Sequence, residues 1–388
     1  EEYMAHIRGD RITVGLMFGG YLWNYSNLAH VDAIIRSLEA HGMDVIPFFT
    51  NAFNKGIENG KKNEFDKYFV SDDGRVLIDV LITLSSFSHM TKLNEGHEDN
   101  PDYNYFRDEL NVPILFGLTV NGPYHDFEDD KQGLAASDMK SNVIYPELDG
   151  DIITVPVAFT PRSGGTKRSY PIPDRIEHLS RLAYGWGNLR HKPVSERKVA
   201  ILMWQSSANS GNIGAAAGLD SMESISDILK RMSANGYRVE GVPESGKDLV
   251  DQILSKVTND VDSYPIEFVR DNAAALVDKK VYEPQFRRIP EWDQGMTVKD
   301  WGEPPGDIHV DSGKLIIPGL IKGNVFVSYQ PLRGRAEKMA EDYHDPVLFA
   351  QHQYLGFYRW IQEDFGADLI INVGTHGSLE WLTGKNVG

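Results

Sequence analysis

The stretch RITVGLMFGGYLWNYSNLAHVDAIIRSLEAHGMDVIPFF, residues 11–49, decides the fold. Arg11 to Gly19 is an apolar run of strand length. Asn27 to His41 repeats apolar residues at helical spacing through Val31, Ile34, Ile35 and Leu38. Gly42 stops that helix, and Asp44 to Phe49 returns as a second strand. Working outward, Val76 to Leu84 (VLIDVLITL) and Val112 to Leu118 (VPILFGL) supply further strands, with polar loop and a short helix near Tyr103 to Glu109 between them. This alternation predicts an α/β, flavodoxin-like domain over residues 1–140, built on a doubly wound, mostly parallel sheet with right-handed crossovers.

Residues 121–168 read as turn-rich and irregular, ending in TPRSGGTKRSYPIPD, and a helix follows from about Arg175 to Leu189. Residues 141–195 are therefore expected to form a partly helical connector. A second doubly wound, Rossmann-like region, 196–388, opens with Lys198 to Met203 (KVAILM) and a helix from about Met222 to Ala234. A strand at Tyr237 to Val242 and a helix at Lys247 to Lys256 come next. The Pro-, Trp- and charge-rich stretch 278–313 reads as structured loop. Paired strands at 314–321 and 324–329 follow, then a long helix from about Pro346 to Phe365 that feeds the strand Leu369 to Val373 (LIINV).

The composition excludes several functions. With 56 acidic against 39 basic residues, net charge −17, the chain lacks the clustered cations that phosphate backbones need, so no nucleic-acid partner is expected. No cysteine is present, which rules out disulfides, thiolate metal sites and cysteine nucleophiles. No apolar run approaches the ~18 residues of a membrane span. The opening EEYMAHIRGD has no signal-peptide core, and a start at Glu suggests an excised piece; a cytoplasmic location is the default expectation.

Four segments carry candidate chemistry. GVPESGKD, Gly241 to Asp248, matches the phosphate-loop spacing, yet Asp248 stands where a hydroxyl should bind magnesium; a capped helix start explains it better. SSANSGNIGAAAGLD, Ser206 to Asp220, is small and glycine-rich enough either to admit a ligand or to be a plain loop. YHDPVLFAQHQYLGFYRW, Tyr343 to Trp360, sets His344, Asp345 and His352 among aromatics, though its helical apolar stripe is core-like and Asp345 reads as a cap. GTHGSLEWLTGKNVG, Gly374 to Gly388, follows the last strand, where open α/β sheets bind ligands. A helix starting near Gly377 puts His376 and Glu380 on one face, either as a proton- or metal-handling pair or as a capped first turn. Flanking glycines favour the functional alternative.

Together these residues resemble the CobN-type large subunit of cobaltochelatase, and similar segments occur in the magnesium chelatase H subunit. The resemblance rests on GADLIINVGTHGSLEWLTGKNVG, GNIGAAAGLDSMESISDIL, WGEPPGD at Trp301 to Asp307, GNVFVSYQPLRG at Gly323 to Gly334, and YHD with HQYLGFYRW. The first 140 residues match more loosely. The chain departs from the family pattern at Thr383 and at Phe349-Ala350, where prolines are usual. The resemblance implies an internal fragment of a longer ligase, cut in its C-terminal domain and inactive alone. It implies ATP-dependent insertion of a divalent metal substrate, cobalt or magnesium, into a tetrapyrrole. Cobalt, in cobalamin biosynthesis, is favoured by the LEW, YHD and HQYL wording. It also implies AAA+ ATPase partner subunits that bind the ATP in place of this chain. By resemblance His376 binds metal or accepts a proton with Glu380 as partner, and His344 and His352 are further metal ligands. Asn212, Trp301, Arg333, Trp381 and Lys385 contact the tetrapyrrole. A non-catalytic tetrapyrrole or metal carrier is the competing class; a hydrolase is disfavoured by the missing G-x-S-x-G elbow.

Overall fold

The computed structural model of the protein describes residues 7, 9–50, 65–86, 105–161, 167–204 and 214–385. They fall into two compact units, one running to His191 and regaining the chain at Gly384, the other spanning Lys192–Thr383.

The first unit contains β1 (Thr13–Gly19), β2 (Asp44–Thr50), β3 (Val80–Thr83), β4 (Ile114–Asn121), β5 (Ile152–Thr160) and β6 (Tyr170–Pro171). They form one sheet in the order β2-β1-β3-β4-β5-β6. The first five are parallel and β6 is an antiparallel edge. The order 2-1-3-4-5 is the flavodoxin-type doubly wound order, with its reversal between β1 and β3. Side chains alternate across β1, so Val14, Leu16 and Phe18 pack on Ile34 and Leu38 of helix Ala29–Ala40 and on Leu179 and Ala183 of helix Pro173–His191. Met17 points to the opposite face, among Ile46, Phe48, Phe69 and Phe106. A strand buried on both faces needs the unbroken apolar run seen in the sequence.

The expected connector is part of this unit. β5 pairs parallel to β4, and helix Pro173–His191 covers the same sheet. Pro156, lying inside β5, hides it from a sequence reading: it cannot donate to the ladder, and the register shifts opposite Leu118.

The second unit contains β7 (Val199–Met203), the short hairpin β8 (Ala215–Ala216) and β9 (Leu219–Asp220), then β10 (Ala275–Asp278), β11 (Val310–Asp311), β12 (Lys314–Ile317), β13 (Leu320–Lys322), β14 (Val325–Tyr329) and β15 (Leu369–Val373). The main sheet runs β13-β14-β7-β15, with β14, β7 and β15 parallel and β13 an antiparallel edge. Val199, Ile201 and Met203 of β7 meet Ile225, Leu229, Leu249 and Ile253 from helices Ser221–Ala234 and Gly246–Leu254. Ala200 and Leu202 face Phe286, Phe357, Trp360 and Ile361. β10, β12 and β11 form a separate antiparallel sheet.

Three local expectations change here. Tyr237–Val242 is coil rather than strand. The expected loop at 278–313 carries helices Lys279–Phe286 and Glu291–Trp301. The long helix begins only at His352 and ends in a π-helical turn, Trp360–Phe365, closed by Gly366 at φ 70°. Among the described residues, no helix is long and apolar enough to cross a membrane.

Candidate functional site

The parallel strands of the second unit deliver three segments to their carboxyl edge: Trp204 after β7, Gln330 to Arg333 after β14, and Gly374 to Gly377 after β15. The Trp204 N–H donates to the Val373 carbonyl (3.0 Å). Its ring stands edge-on to His376 (centroids 6.1 Å, 76°) and to Tyr343 (5.4 Å, 79°). A Cβ on Gly374, whose φ is +153°, would lie 2.5 Å from the Trp204 Cβ. Close packing against Trp204 therefore demands this glycine, in addition to the openness that the sequence suggested.

Gln330, 3% exposed, fixes the loop beneath His376. Its N–H donates to the Met203 carbonyl (2.9 Å) and its Nε2 to Asn372 Oδ1 (3.1 Å), while its Oε1 accepts the Ser378 N–H. Its carbonyl accepts from Asn259 Nδ2 (2.9 Å). The Ser378 and Tyr354 hydroxyls lie 3.0 Å apart, and burial raises the Tyr354 phenol above its ordinary value. On the outer side, Thr375 Oγ1 accepts the Ala217 N–H (3.1 Å), which ties the glycine-rich segment's hairpin to the same loop. His376 itself stays exposed on this pinned loop.

The predicted pairing of His376 with Glu380 along a helix is not what forms. Gly377 is extended (φ −132°, ψ 143°), and Ser378–Trp381 makes a single 3-10 turn, so no α-helical face carries both positions. Asn212 and the side chains of Glu380 and Trp381 lie outside the described residues.

His344 is exposed beside Tyr343, so its loop and that of His376 share the Trp204 wall. His352 is different: it is 1% exposed, with Nδ1 2.9 Å from the Tyr282 hydroxyl and Nε2 2.9 Å from the Gly302 carbonyl. A carbonyl only accepts, so Nε2 carries the proton and Nδ1 accepts from Tyr282. No lone pair is left for a metal, and burial lowers the ring's basicity further. In this arrangement His352 anchors the Trp301 loop through Gly302.

Arg333 is likewise committed. It is 2% exposed and donates to the carbonyls of Tyr343 (2.8 Å), Asp345 and Leu348 (2.9 Å), which clamps the His344 loop. Its guanidinium is thus spent on the backbone instead of on a macrocycle carboxylate. Trp301 is half-buried and donates Nε1–H to the Phe349 carbonyl (2.7 Å), and the Phe349 N–H donates to Asp300 (3.1 Å). A proline, usual at 349 in the family pattern, lacks that donor. Lys385 belongs to the first unit, where Nζ donates to the carbonyls of Glu128 (2.8 Å) and Asp130 (2.7 Å). Among the described residues, no group of three or more His, Asp or Glu side chains is placed to hold an ion.

The phosphate-loop-like segment starts helix Gly246–Leu254 with Ser245 as its cap. The Gly246 N–H already donates to Glu223 Oε2 (2.6 Å). A carboxylate thus takes the place a phosphate needs. Trp204, Tyr343, Gln330 and Tyr354 were not singled out from sequence as site residues; the cue for Gln330 is a glutamine directly after an apolar strand.

The family model for CobN/magnesium chelatase matches residues 1–388. The aerobic cobaltochelatase subunit CobN of Pseudomonas aeruginosa is 30% identical over 395 residues, covering 100% of this chain and 30% of that protein. The chloroplastic magnesium-chelatase subunit ChlH of Oryza sativa subsp. indica is 27% identical over 361 residues, 92% of this chain and 25% of its own length. Among solved structures, the catalytic subunit of cobaltochelatase from Mycobacterium tuberculosis superposes with a TM-score of 0.80 at 26% identity, covering 97% of this chain and 31% of that one. The chain thus spans less than a third of the length of these relatives. With a family match running along the whole sequence, the chain belongs to the CobN/magnesium chelatase family.

Proposed function

We propose that the chain forms part of the large subunit of an ATP-dependent chelatase that inserts cobalt(II) into a tetrapyrrole. The observation that carries this reading is His376, exposed at the carboxyl edge of a parallel sheet on a loop that Gln330 and Thr375 pin. Metal entry expels two pyrrole N–H protons, so the reaction needs a base held close to the ring nitrogens. A rigidly presented imidazole accepts one proton and can hold the incoming ion transiently through nitrogen, which suits a borderline divalent metal. Glu380 is its proposed partner, and His344, across Trp204, the second metal-handling group. Trp301 and Trp381 are the proposed stacking surfaces, with Asn212 as a polar contact. Arg333 and His352 act through position, by fixing the loops that bear these groups. Glu223 on the Gly246 amide supports leaving ATP to AAA+ partner subunits.

Cobalt rests on the LEW, YHD and HQYL sequences. The likeness to ChlH makes magnesium the second reading. The test uses the full-length subunit with its partner subunits, following insertion by the absorbance of the metallated macrocycle. His376→Ala with Glu380→Gln is expected to slow insertion by about 10²-fold or more, while tetrapyrrole affinity stays near wild type. Unchanged insertion removes the catalytic assignment and leaves a binding protein. Running cobalt and magnesium side by side decides between the metals.

A further inference from the structure

The first unit holds a cavity of about 510 Å³ of its own. Its walls come from the carboxyl ends of four parallel strands: Leu22 and Asn27 after β1, Leu84 and Ser86 after β3, Thr119 and Asn121 of β4, and Thr160 of β5. It therefore straddles the β1/β3 reversal, where doubly wound sheets bind ligands. We propose that this cavity binds a nucleotide-sized organic anion, with its ring on the apolar side, its hydroxyls on the amide and hydroxyl wall, and its charge at Lys167.

Three observations carry this beyond the shape of the fold. First, His30 in the cavity wall is 1% exposed, and its Nδ1 has no hydrogen-bond partner. A buried polar atom left unpaired is costly and rare, and this one belongs to a residue of the cavity wall. Burial holds the ring pKa down at about 4, so at neutral pH it acts as a neutral hydrogen-bonding group. Second, the polar wall is already assembled. Asn27 donates to Ser169 Oγ (3.2 Å) and accepts the Ser169 N–H (2.8 Å), and Ser169 Oγ lies 3.0 Å from Thr160 Oγ1. Ser86 donates to Asn142 Oδ1 (2.6 Å), and both line the cavity. Pre-organised polar groups lose little entropy on binding. Third, the described lining contains no carboxylate and one cation, Lys167, in a chain with 56 acidic residues against 39 basic ones. An acid-free wall with a single lysine selects a single negative charge over a cation. Leu22 and Leu84 supply the apolar side, and the volume lies within the range of small-molecule sites.

The test is calorimetric titration of the full chain with AMP, adenosine 5′-carboxylate and uncharged adenosine. Saturable binding of at least one anion is expected, at least about tenfold tighter than adenosine, equivalent to one good charge contact. Comparison of the two anions distinguishes a phosphate from a carboxylate ligand. Lys167→Ala is expected to erase the anion advantage. His30→Gln and, as a second variant away from the core, Asn27→Ala are each expected to weaken all three probes by about fivefold or more. Melting curves of each variant, taken alongside, separate lost binding from lost fold. No saturable binding up to about 10 mM, or binding that survives Lys167→Ala and Asn27→Ala in folded protein, overturns the proposal.

Discussion

Replacing Gln330 with leucine isolates the contribution of one side chain to the presentation of His376. The substitution keeps the bulk and the backbone bond to Met203 but removes both amide contacts. Asn372 is exposed and recovers its partner from water, so that half costs little. Ser378 is 0% exposed, and its N–H loses the Gln330 acceptor, at about 1–3 kcal/mol for a buried unsatisfied donor. Taking about 2 kcal/mol, a unit of this size loses roughly 4–8 °C in Tm. Exchange of the Ser378 amide through local opening quickens by roughly 30-fold. Native-state hydrogen exchange with fragment-level readout around Gly374 to Trp381 measures the second quantity. Asn372→Ala is the control, because it breaks the exposed contact and leaves the buried one intact; little change is expected. If Ser378 protection in folded Gln330→Leu equals wild type, the claim that Gln330 pins the loop is wrong.

Other substitutions probe the remaining supports. In Arg333→Lys a compact ammonium replaces the fork that spans three carbonyls, so limited proteolysis within residues 343–348 should accelerate; an unchanged cleavage pattern would count against the clamp. Gly246→Ala sets a Cβ 2.6 Å from the Glu223 backbone nitrogen, and forcing two helices apart should cost about 1–3 kcal/mol by urea denaturation. The pH dependence follows from His30, whose pKa falls from 6.5 to about 4 on folding. The unfolded chain then binds more protons in that interval, so this contribution is complete above about pH 6.5 and is lost as pH falls toward 4, by roughly 3 kcal/mol. Urea midpoints from pH 7.5 to 4.5 should fall less steeply in His30→Leu than in wild type, and parallel slopes would refute the assignment.

Much of this architecture is written in local sequence. β1 and β7 read as apolar runs because both faces of each are covered, and β2 and β15 are legible because they carry mostly apolar residues at strand length. β5 escapes because Pro156 breaks the pattern and a register irregularity absorbs it. Helices Lys279–Phe286 and Glu291–Trp301 escape because Pro284 and Pro290, read as breakers, sit inside one helix and at the cap of the other. Tyr237–Val242 has strand composition, but its backbone makes isolated contacts with Lys322 and Asn324 instead of a ladder. In the candidate site, the glycines around His376 mark its exposed loop in the sequence. The burial of His352 is hidden from the sequence because the two groups that occupy its ring, Tyr282 and Gly302, lie 70 and 50 residues away. Gln330 is passed over because its amide meets Ser378, 48 positions further along the chain, only in the folded state.

The four residues from Gln330 to Arg333 act as a common hub. Gln330 holds the β15 loop, the Leu332 carbonyl accepts from Gln351 ahead of helix His352–Arg359, and Arg333 holds the loop of His344. Two histidine-bearing loops that are distant in sequence therefore have one mechanical origin, and a displacement of this short turn is transmitted to both. Tolerance to change should be uneven as a result: side chains at the loop tips can vary singly, whereas an insertion or deletion between Tyr329 and Gly334 shifts every anchor at once.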